Sequence, residues 1–188
     1  MKKAVMGLCV VLACAAAFAQ GTASAPKAEP MSESAKAAWP VWLAFNSTKD
    51  IDVVGLRMTL FYGKCESVTG FDLGFYGRAR YFEGLQLNLL RNEAEDSMAG
   101  IQIGLYNSVG RADMTGLQIG LFNEARSVRG FQIGLINLAD SCCGFQVGLI
   151  NRAETMYGFQ AGAVNVIRAS EMPFLPLVNI GFEEFPNY

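Results

Sequence analysis

The stretch that decides the fold is Gly130-Phe-Gln-Ile-Gly-Leu-Ile-Asn137, which recurs after six intervening residues as Gly144-Phe-Gln-Val-Gly-Leu-Ile-Asn151. Related phrases occur on both sides of this pair, and the spacing between successive copies is nearly constant. A short period of this kind predicts a repeat architecture. Eight copies cover residues 55 to about 171, and they begin at Gly55, Gly70, Gly84, Gly100, Gly116, Gly130, Gly144 and Gly158.

Apolar residues alternate with polar or small ones in the first six positions of each copy. Counted from the first glycine, positions 2, 4 and 6 are apolar in every copy, position 3 is polar, and position 5 is glycine in six copies. Alternation with a period of two is typical of a half-buried β-strand. We expect positions 2, 4 and 6 to face the core and positions 3 and 5 to face water. The polar column includes Arg57 and Asp72, and burying such groups unpaired is costly.

The remainder of each copy is more polar but is also patterned. The penultimate residue is apolar in seven copies, and a second apolar column, mostly alanine, follows two places after position 8. Each copy is therefore predicted to form a long strand, a corner, a short strand and a second corner. The two columns are Val68, Phe82, Met98, Met114, Val128, Cys142 and Met156, and Ala79, Ala125, Ala139, Ala153 and Ile167.

An all-β fold, a β-solenoid of about eight coils with one copy of the repeat in each, fits these columns best. Gln at position 3 and Asn at position 8 would form ladders up the stack. Pro173 and Pro176 suit the last edge, because proline withholds a backbone donor from further pairing. The alternatives are an antiparallel β-meander or sandwich and a membrane β-barrel. A barrel needs an outer apolar band about 25 Å tall, whereas positions 2, 4 and 6 span roughly 14 Å.

The segment before Trp39 differs in composition from the repeats. Residues 1–19 have the pattern of a secretory signal peptide: Lys2 and Lys3, an apolar run, and small residues at its end. Lipidation at Cys14, with membrane anchoring through it, is the alternative interpretation of this segment. Residues 20–38 are rich in Ala, Ser, Pro and Lys and are predicted to form a flexible linker.

A single β-repeat domain is predicted for the rest of the chain, residues 39–188. The repeats occupy 55–171, and the ends at 39–54 and 172–188 are expected to cap them. The apolar stretch that begins at Trp39 is expected to form the strand that covers the first copy.

Composition and charge argue against several functional classes. The chain has 15 Lys and Arg, 17 Asp and Glu, no His, and mixed charges without a basic stripe, so no nucleic-acid partner is predicted. We find no catalytic motif, no cofactor-binding motif and no cysteine spacing of a zinc site, so no enzyme activity, cofactor or metal is predicted. Cys142 lies in the penultimate apolar column and is expected to be a small core residue, with Cys143 pointing outward.

Position 7 provides the candidate interaction site. Strict alternation would place this column outside, as an apolar stripe for an unknown protein partner or for self-association. A bend of the chain after position 6 would instead turn it inward, and the sequence leaves both arrangements open. The possible interaction stripe consists of Tyr106, Phe122, Ile136 and Ile150.

The copies from Gly100 to Asn165, together with the ending Pro173-Phe-Leu-Pro-Leu-Val-Asn-Ile-Gly-Phe182, resemble a family of bacterial exported surface-repeat proteins. Some members of that family look like lipoproteins. The resemblance implies an exported protein in the periplasm, at the cell surface or associated with the outer membrane, and it implies no catalytic residues. The sequence thus predicts a non-enzymatic cell-envelope or surface protein that acts as a structural scaffold or protein-binding surface. The alternatives are an outer-membrane pore, or an enzyme with an unrecognised site.

Overall fold

The computed structural model describes residues 39–48 and 51–182. The predicted signal peptide, linker and Cys14 lie outside the described residues. Nearly all of the described chain is extended, and the strands run on through most corners of the coils. The five strands are β1 (Trp39–Thr48), β2 (Asp52–Ile103), β3 (Tyr106–Val147), β4 (Ile150–Ile167) and β5 (Phe174–Phe182). Across this part of the chain, no helix has the length and apolar character needed to cross a bilayer.

Successive copies of the repeat stack in parallel and in register. Gly100 of β2 lies beside Gly116 of β3, and Gln102 lies beside Gln118. The same correspondence continues from β3 to β4, where Gly144 lies beside the glycine that opens the next copy. The structure is therefore a β-solenoid of about eight coils, and the parallel register excludes the antiparallel arrangements that the sequence left open.

Each end of the stack is covered by a strand outside the eight copies. β1 pairs in parallel with the first coil, Val41 beside Leu56 and Trp42 beside Arg57, so it follows the alternation of the repeat. Trp42 packs against the end of the core. At the other end β5 pairs antiparallel with β4. It contains Pro176, which has no N–H to offer a further strand.

The inward and outward faces of the long strand are the reverse of those expected from the sequence. Gln132 at position 3 is 0% exposed, whereas Leu135 at position 6 is 50% exposed. The predictions that positions 2, 4 and 6 form the core and that positions 3 and 5 face water are therefore wrong. The alanine and penultimate columns do face inward, as predicted. They supply most of the buried apolar residues, which are Val53, Cys65, Val68, Ala79, Phe82, Ala94, Met98, Val109, Met114, Ala125, Val128, Ala139, Cys142, Ala153, Met156 and Ile167.

Hydrogen bonds between coils explain why glutamine can lie inside. The side-chain amide of Gln132 donates through Nε2 to Oε1 of Gln118 at 2.8 Å. It accepts a bond from Nε2 of Gln146 at 2.7 Å. The same contact links Gln86 to Gln102 and Gln146 to Gln160. A buried polar group is costly only when it is unpaired, and a stacked column of amides pairs each member with the next.

A second amide ladder runs through position 8. Nδ2 of Asn123 donates to Oδ1 of Asn137 at 2.8 Å and to the backbone carbonyl of Ile133 at 2.9 Å. Equivalent paired bonds are made by Asn107 and by Asn137. The asparagine side chain therefore ties one corner to the strand of the next coil.

Glycine at position 5 makes room for this asparagine ladder. A Cβ on Gly134 would collide with the backbone oxygen of Gly120 and would lie 2.6 Å from Nδ2 of Asn123. Position 1 is glycine for a different reason, because Gly116 has φ of 133°, a conformation that L side chains rarely adopt.

Near the first coil the glutamine ladder ends in a buried ion pair. Arg57 and Asp72 occupy position 3 of the first two copies and are at most 1% exposed. Nε of Arg57 bonds to Oδ1 of Asp72 at 2.6 Å, and Nε2 of Gln86 donates to Oδ2 of Asp72 at 2.8 Å. Burial is the largest single influence and lowers the pKa of the Arg57 guanidinium, but the charge and hydrogen bonds of Asp72, together with the contact to Cys65, outweigh it and the pKa is raised. The two charges thus occupy the buried column because they neutralise each other.

Candidate interaction surface

The inward ladders leave three apolar columns on the outside of the solenoid. Positions 2, 4 and 6 alternate with the inward-facing positions 3 and 5, so their side chains point away from the core. None of these side chains is buried. We call this surface the apolar face. It comprises positions 2, 4 and 6 of the eight coils, Val41, Leu43 and Phe45 of β1, and Val178 and Ile180 of β5.

Like residues meet along the apolar face because the coils are in register. The rings of Phe131 and Phe145 stack with centroids 5.2 Å apart and planes 7° from parallel. Phe159 continues the row at 6.1 Å from Phe145. The three columns contain no charged residue in any coil. The face is thus a continuous apolar sheet surface that runs the length of the stack.

Sequence reasoning missed this surface because it placed these columns inside. One signal was available in the repeat itself. Position 3 keeps Gln in its last six copies and position 5 keeps Gly in six, whereas positions 2 and 4 accept side chains as different as Phe131, Leu117, Val147 and Ala161. In a close-packed interior, a change of even one methylene group alters the stability of the fold. A column that tolerates such changes of side-chain volume is therefore typical of an outward position.

The opposite side of the coils is charged, and its charges largely pair with one another between coils. Nε of Arg78 lies 2.5 Å from Oε1 of Glu95, and Arg80 contacts both Asp96 and Glu66. In the later coils Nη1 of Arg168 bonds to Glu154 at 2.9 Å. These partly exposed pairs contribute little stability, but they give the solenoid a polar side that contrasts with the apolar face.

The predicted interaction stripe at position 7 lies outside, around the corner from position 6. Phe122 is 44% exposed and Ile150 is 36% exposed, while Tyr106 and Ile136 are half-buried. Ile136 and Ile150 are register partners on neighbouring coils. The chain therefore does not turn this column inward, and the role of the stripe in binding stays a prediction.

In the coils near the N-terminus, the residues that stack in the position-7 column are not all those that the sequence alignment of the copies assigns to it. Register places Arg91 beside Tyr106, one place later than the simple count, because the third copy is longer at its corner. The guanidinium of Arg91 lies 4.8 Å from the ring centroid of Tyr106 and 5.7 Å from that of Tyr76. Tyr62 in turn packs its ring 4.9 Å from Tyr76. The column that contains the stripe is thus aromatic and cationic in these coils, and the stripe itself becomes aliphatic only from Ile136 onward.

Two tyrosine hydroxyls of this column are tied to carboxylates. The hydroxyl of Tyr76 donates to Oε2 of Glu93 at 2.6 Å, and that of Tyr106 donates to Glu124. Burial, followed by the bond to Glu93, raises the pKa of Tyr76 to about 12. Both tyrosines therefore stay neutral at physiological pH and act as hydrogen-bond donors.

An open depression of about 270 Å³ lies on the polar side, at one corner of the middle coils. It is lined by short and charged side chains that include Glu124, Arg126, Asp140 and Arg152. Among the described residues no group of three His, Cys, Asp or Glu side chains is arranged to hold a metal ion. The apolar face is therefore the more distinctive candidate for a binding surface.

The structure describes three cysteines, of which Cys65 and Cys142 are free thiols in the core. Cys142 is fully buried, which confirms its predicted place in the core, and Cys143 is half-buried. Burial raises the pKa of Cys142, so its thiol stays protonated and unreactive. Cys65 lies in the core beside Arg57, whose Nη1 is 2.9 Å from the sulfur.

Comparison with protein-family models, curated proteins and solved structures gave no match to this chain. The resemblance to exported surface-repeat proteins therefore stays a prediction from the sequence.

Proposed function

We propose that this protein is a non-enzymatic scaffold of the bacterial cell envelope or cell surface, and that it binds protein through the apolar face. The observation that supports this proposal most strongly is the outward position of three uncharged apolar columns along the whole stack. Monomeric soluble proteins rarely expose a contiguous apolar patch larger than a few hundred Å². A surface of this kind is usually covered in the working state of a protein.

The scaffold part of the proposal rests on the interior. The coils are joined by backbone pairing, and the last six are also linked by the two amide ladders, so the stack offers a cross-linked support. Rigid elements present a binding surface at low conformational cost. The depression on the polar side has no cluster of ligating side chains among the described residues that would favour an enzyme.

The cellular location rests on the N-terminal sequence and on the family resemblance. A charged start, an apolar run and small residues before Gln20 favour export. If Cys14 is instead lipidated, the same scaffold is held at a membrane by its linker. Either route places the apolar face in an extracytoplasmic compartment.

Photo-crosslinking in the cell that makes the protein tests this function. Benzoylphenylalanine in place of Ile133 puts the probe on the apolar face, and the same residue in place of Asp140 puts it on the polar side as a matched control. We expect light-dependent adducts with protein from position 133 and far fewer from position 140. Adducts with lipid alone, or none from position 133, would contradict a protein-binding role.

A further inference from the structure

We propose that the occupant of the apolar face is a second copy of this chain, packed face to face across a two-fold axis. This inference rests on the proposed function and specifies its partner. It draws on the shape, the area and the chemistry of the face.

The shape of the face suits sheet-on-sheet packing. Because coils pair in register, like positions lie beside one another, and each of the three columns forms a continuous row whose residues repeat about every 4.8 Å along the stack. Two such surfaces can approach to the roughly 10 Å that separates packed sheets. An isologous contact needs a surface that complements itself, and uncharged apolar rows that repeat at the same spacing in both copies meet that condition.

The area of the face is sufficient for a stable dimer. β1, eight coils and β5 give ten strands in the stack, which span about 43 Å, and positions 2 to 6 add a width of roughly 14 Å. Each copy therefore contributes on the order of 600 Å², and the pair buries about 1,200 Å², the lower limit of stable protein interfaces.

Side-chain volumes along the stack favour one orientation. The last coil carries small residues at positions 4 and 6, Ala161 and Ala163, whereas the first coil carries Met58 and Leu60 at the same positions. A two-fold axis parallel to the strands places the last coil of one copy opposite the first coil of the other. Long side chains then fill the space that the alanines leave.

The border of the face favours protein over a lipid surface. Elements that lie on membranes carry rows of Lys and Arg beside their apolar side. In the first seven copies the last position, which is next to the face, has a single basic residue, Arg129, and one acidic residue, Glu83. The column is otherwise neutral and consists of Thr69, Ala99, Thr115, Cys143 and Tyr157.

Sedimentation equilibrium of the purified chain tests the inference with two matched variants. Leu105 and Leu121 lie at position 6 of the two middle coils and are 44% and 42% exposed, so their replacement does not disturb the ladders. We expect the unmodified protein to sediment as a dimer, with twice the mass of a single chain. Leu105→Lys with Leu121→Lys places like charges in the two middle coils of the interface and should weaken the dimer on the order of tenfold or more. The control, Asp140→Ser with Arg152→Ser on the polar side, should remain a dimer.

Leu105→Thr with Leu121→Thr, which keeps strand propensity, distinguishes loss of the interface from loss of the fold. Its circular dichroism should match that of the unmodified chain while its mass falls. A monomeric unmodified chain, or a face variant that stays dimeric, would overturn the second copy as occupant. In that case crosslinks from position 133 to a different protein would still support the proposed function. Flotation of the purified chain with phosphatidylcholine vesicles, together with crosslinks to lipid alone, would overturn both the proposed dimer and the proposed protein-binding function.

Discussion

Gln132 and Leu135 lie close together in one strand, and their surroundings are opposite. Gln132 is bonded to the glutamines of both neighbouring coils at 2.7 and 2.8 Å. Leu135 projects from the outer surface and is half exposed. The residue-scale determinant of the fold is therefore amide pairing, which allows a polar column to be buried without loss of hydrogen bonds.

This arrangement predicts opposite effects for two substitutions. Gln132→Leu leaves Oε1 of Gln118 without its donor and Nε2 of Gln146 without its acceptor, and should cost roughly 2–4 kcal/mol of unfolding free energy. Leu135→Asp, on the outer surface, should cost only about 1 kcal/mol through lost strand propensity. Urea unfolding in dilute solution measures both. A more severe loss from Leu135→Asp would mean that the faces are assigned wrongly.

The buried ion pair provides a second test at this scale. Asp72→Gln should destabilise the protein by about 3–5 kcal/mol, because it leaves the Arg57 charge buried without a counter-charge. Adding Arg57→Gln should recover most of the loss, since two glutamines would extend the existing ladder to the first coil. Thermal unfolding of the single and double variants decides this. A double variant less stable than the single one would show that the column does not accept glutamine there.

The raised pKa of Tyr76 predicts a change of stability at high pH. The ordinary tyrosine pKa is 10.0, and the folded protein raises it to about 12 through burial and the bond to Glu93. The unfolded chain therefore loses this proton first, so the stabilisation is complete below pH 10 and is lost as pH rises from 10 to 12. Tyr76→Phe should remove this part of the decline. Urea midpoints of the two proteins, compared at about pH 8 and pH 11, should differ less at the higher pH.

At the scale of the element, each coil depends on the close approach of its corner to the next coil. Gly134→Ala would place a methyl group against the backbone of Gly120 and beside the amide of Asn123. We expect a loss of about 2–4 kcal/mol from this overpacking and the broken ladder bond. Leu135→Ala in the same strand should be milder. A stable Gly134→Ala protein would contradict the packing of position 5 against the asparagine ladder.

Much of this element could be predicted from the sequence. The period, the strand and corner division, the inward alanine and penultimate columns and the two ladders follow from residue types at fixed spacing. The orientation of the long strand does not follow, because a period of two defines two faces and does not say which is buried. Arg57 and Asp72 favoured an outward position 3 only as long as each charge was treated as unpaired. In the structure they pair with each other, so both can be buried. The register shift at Arg91 depends on corner geometry that copy alignment does not contain.

At the scale of the whole molecule, two columns decide both the stability of the stack and which side chains face outward. The amide ladders hold the coils together from inside, and the alternation of the strand then forces the apolar positions outward along the entire stack. The apolar face and the predicted stripe are thus a consequence of the polar interior. A chain built in this way stays soluble most readily when its apolar face is covered, which is the basis for the proposed dimer.

The most direct test of this account is the exchange of side-chain amide protons, followed by nuclear magnetic resonance after transfer to deuterated water. The signals of the two Nε2 protons of Gln132 are assigned by their disappearance in the Gln132→Leu protein. These protons do not contact the apolar face, so dimerisation does not change their exchange rate. We predict exchange slower by roughly a thousandfold or more than in the urea-unfolded chain, since opening the ladder must cost several kcal/mol. Exchange at the rate of the unfolded chain would show that the glutamine column faces water, and would contradict the fold assignment on which the binding surface depends.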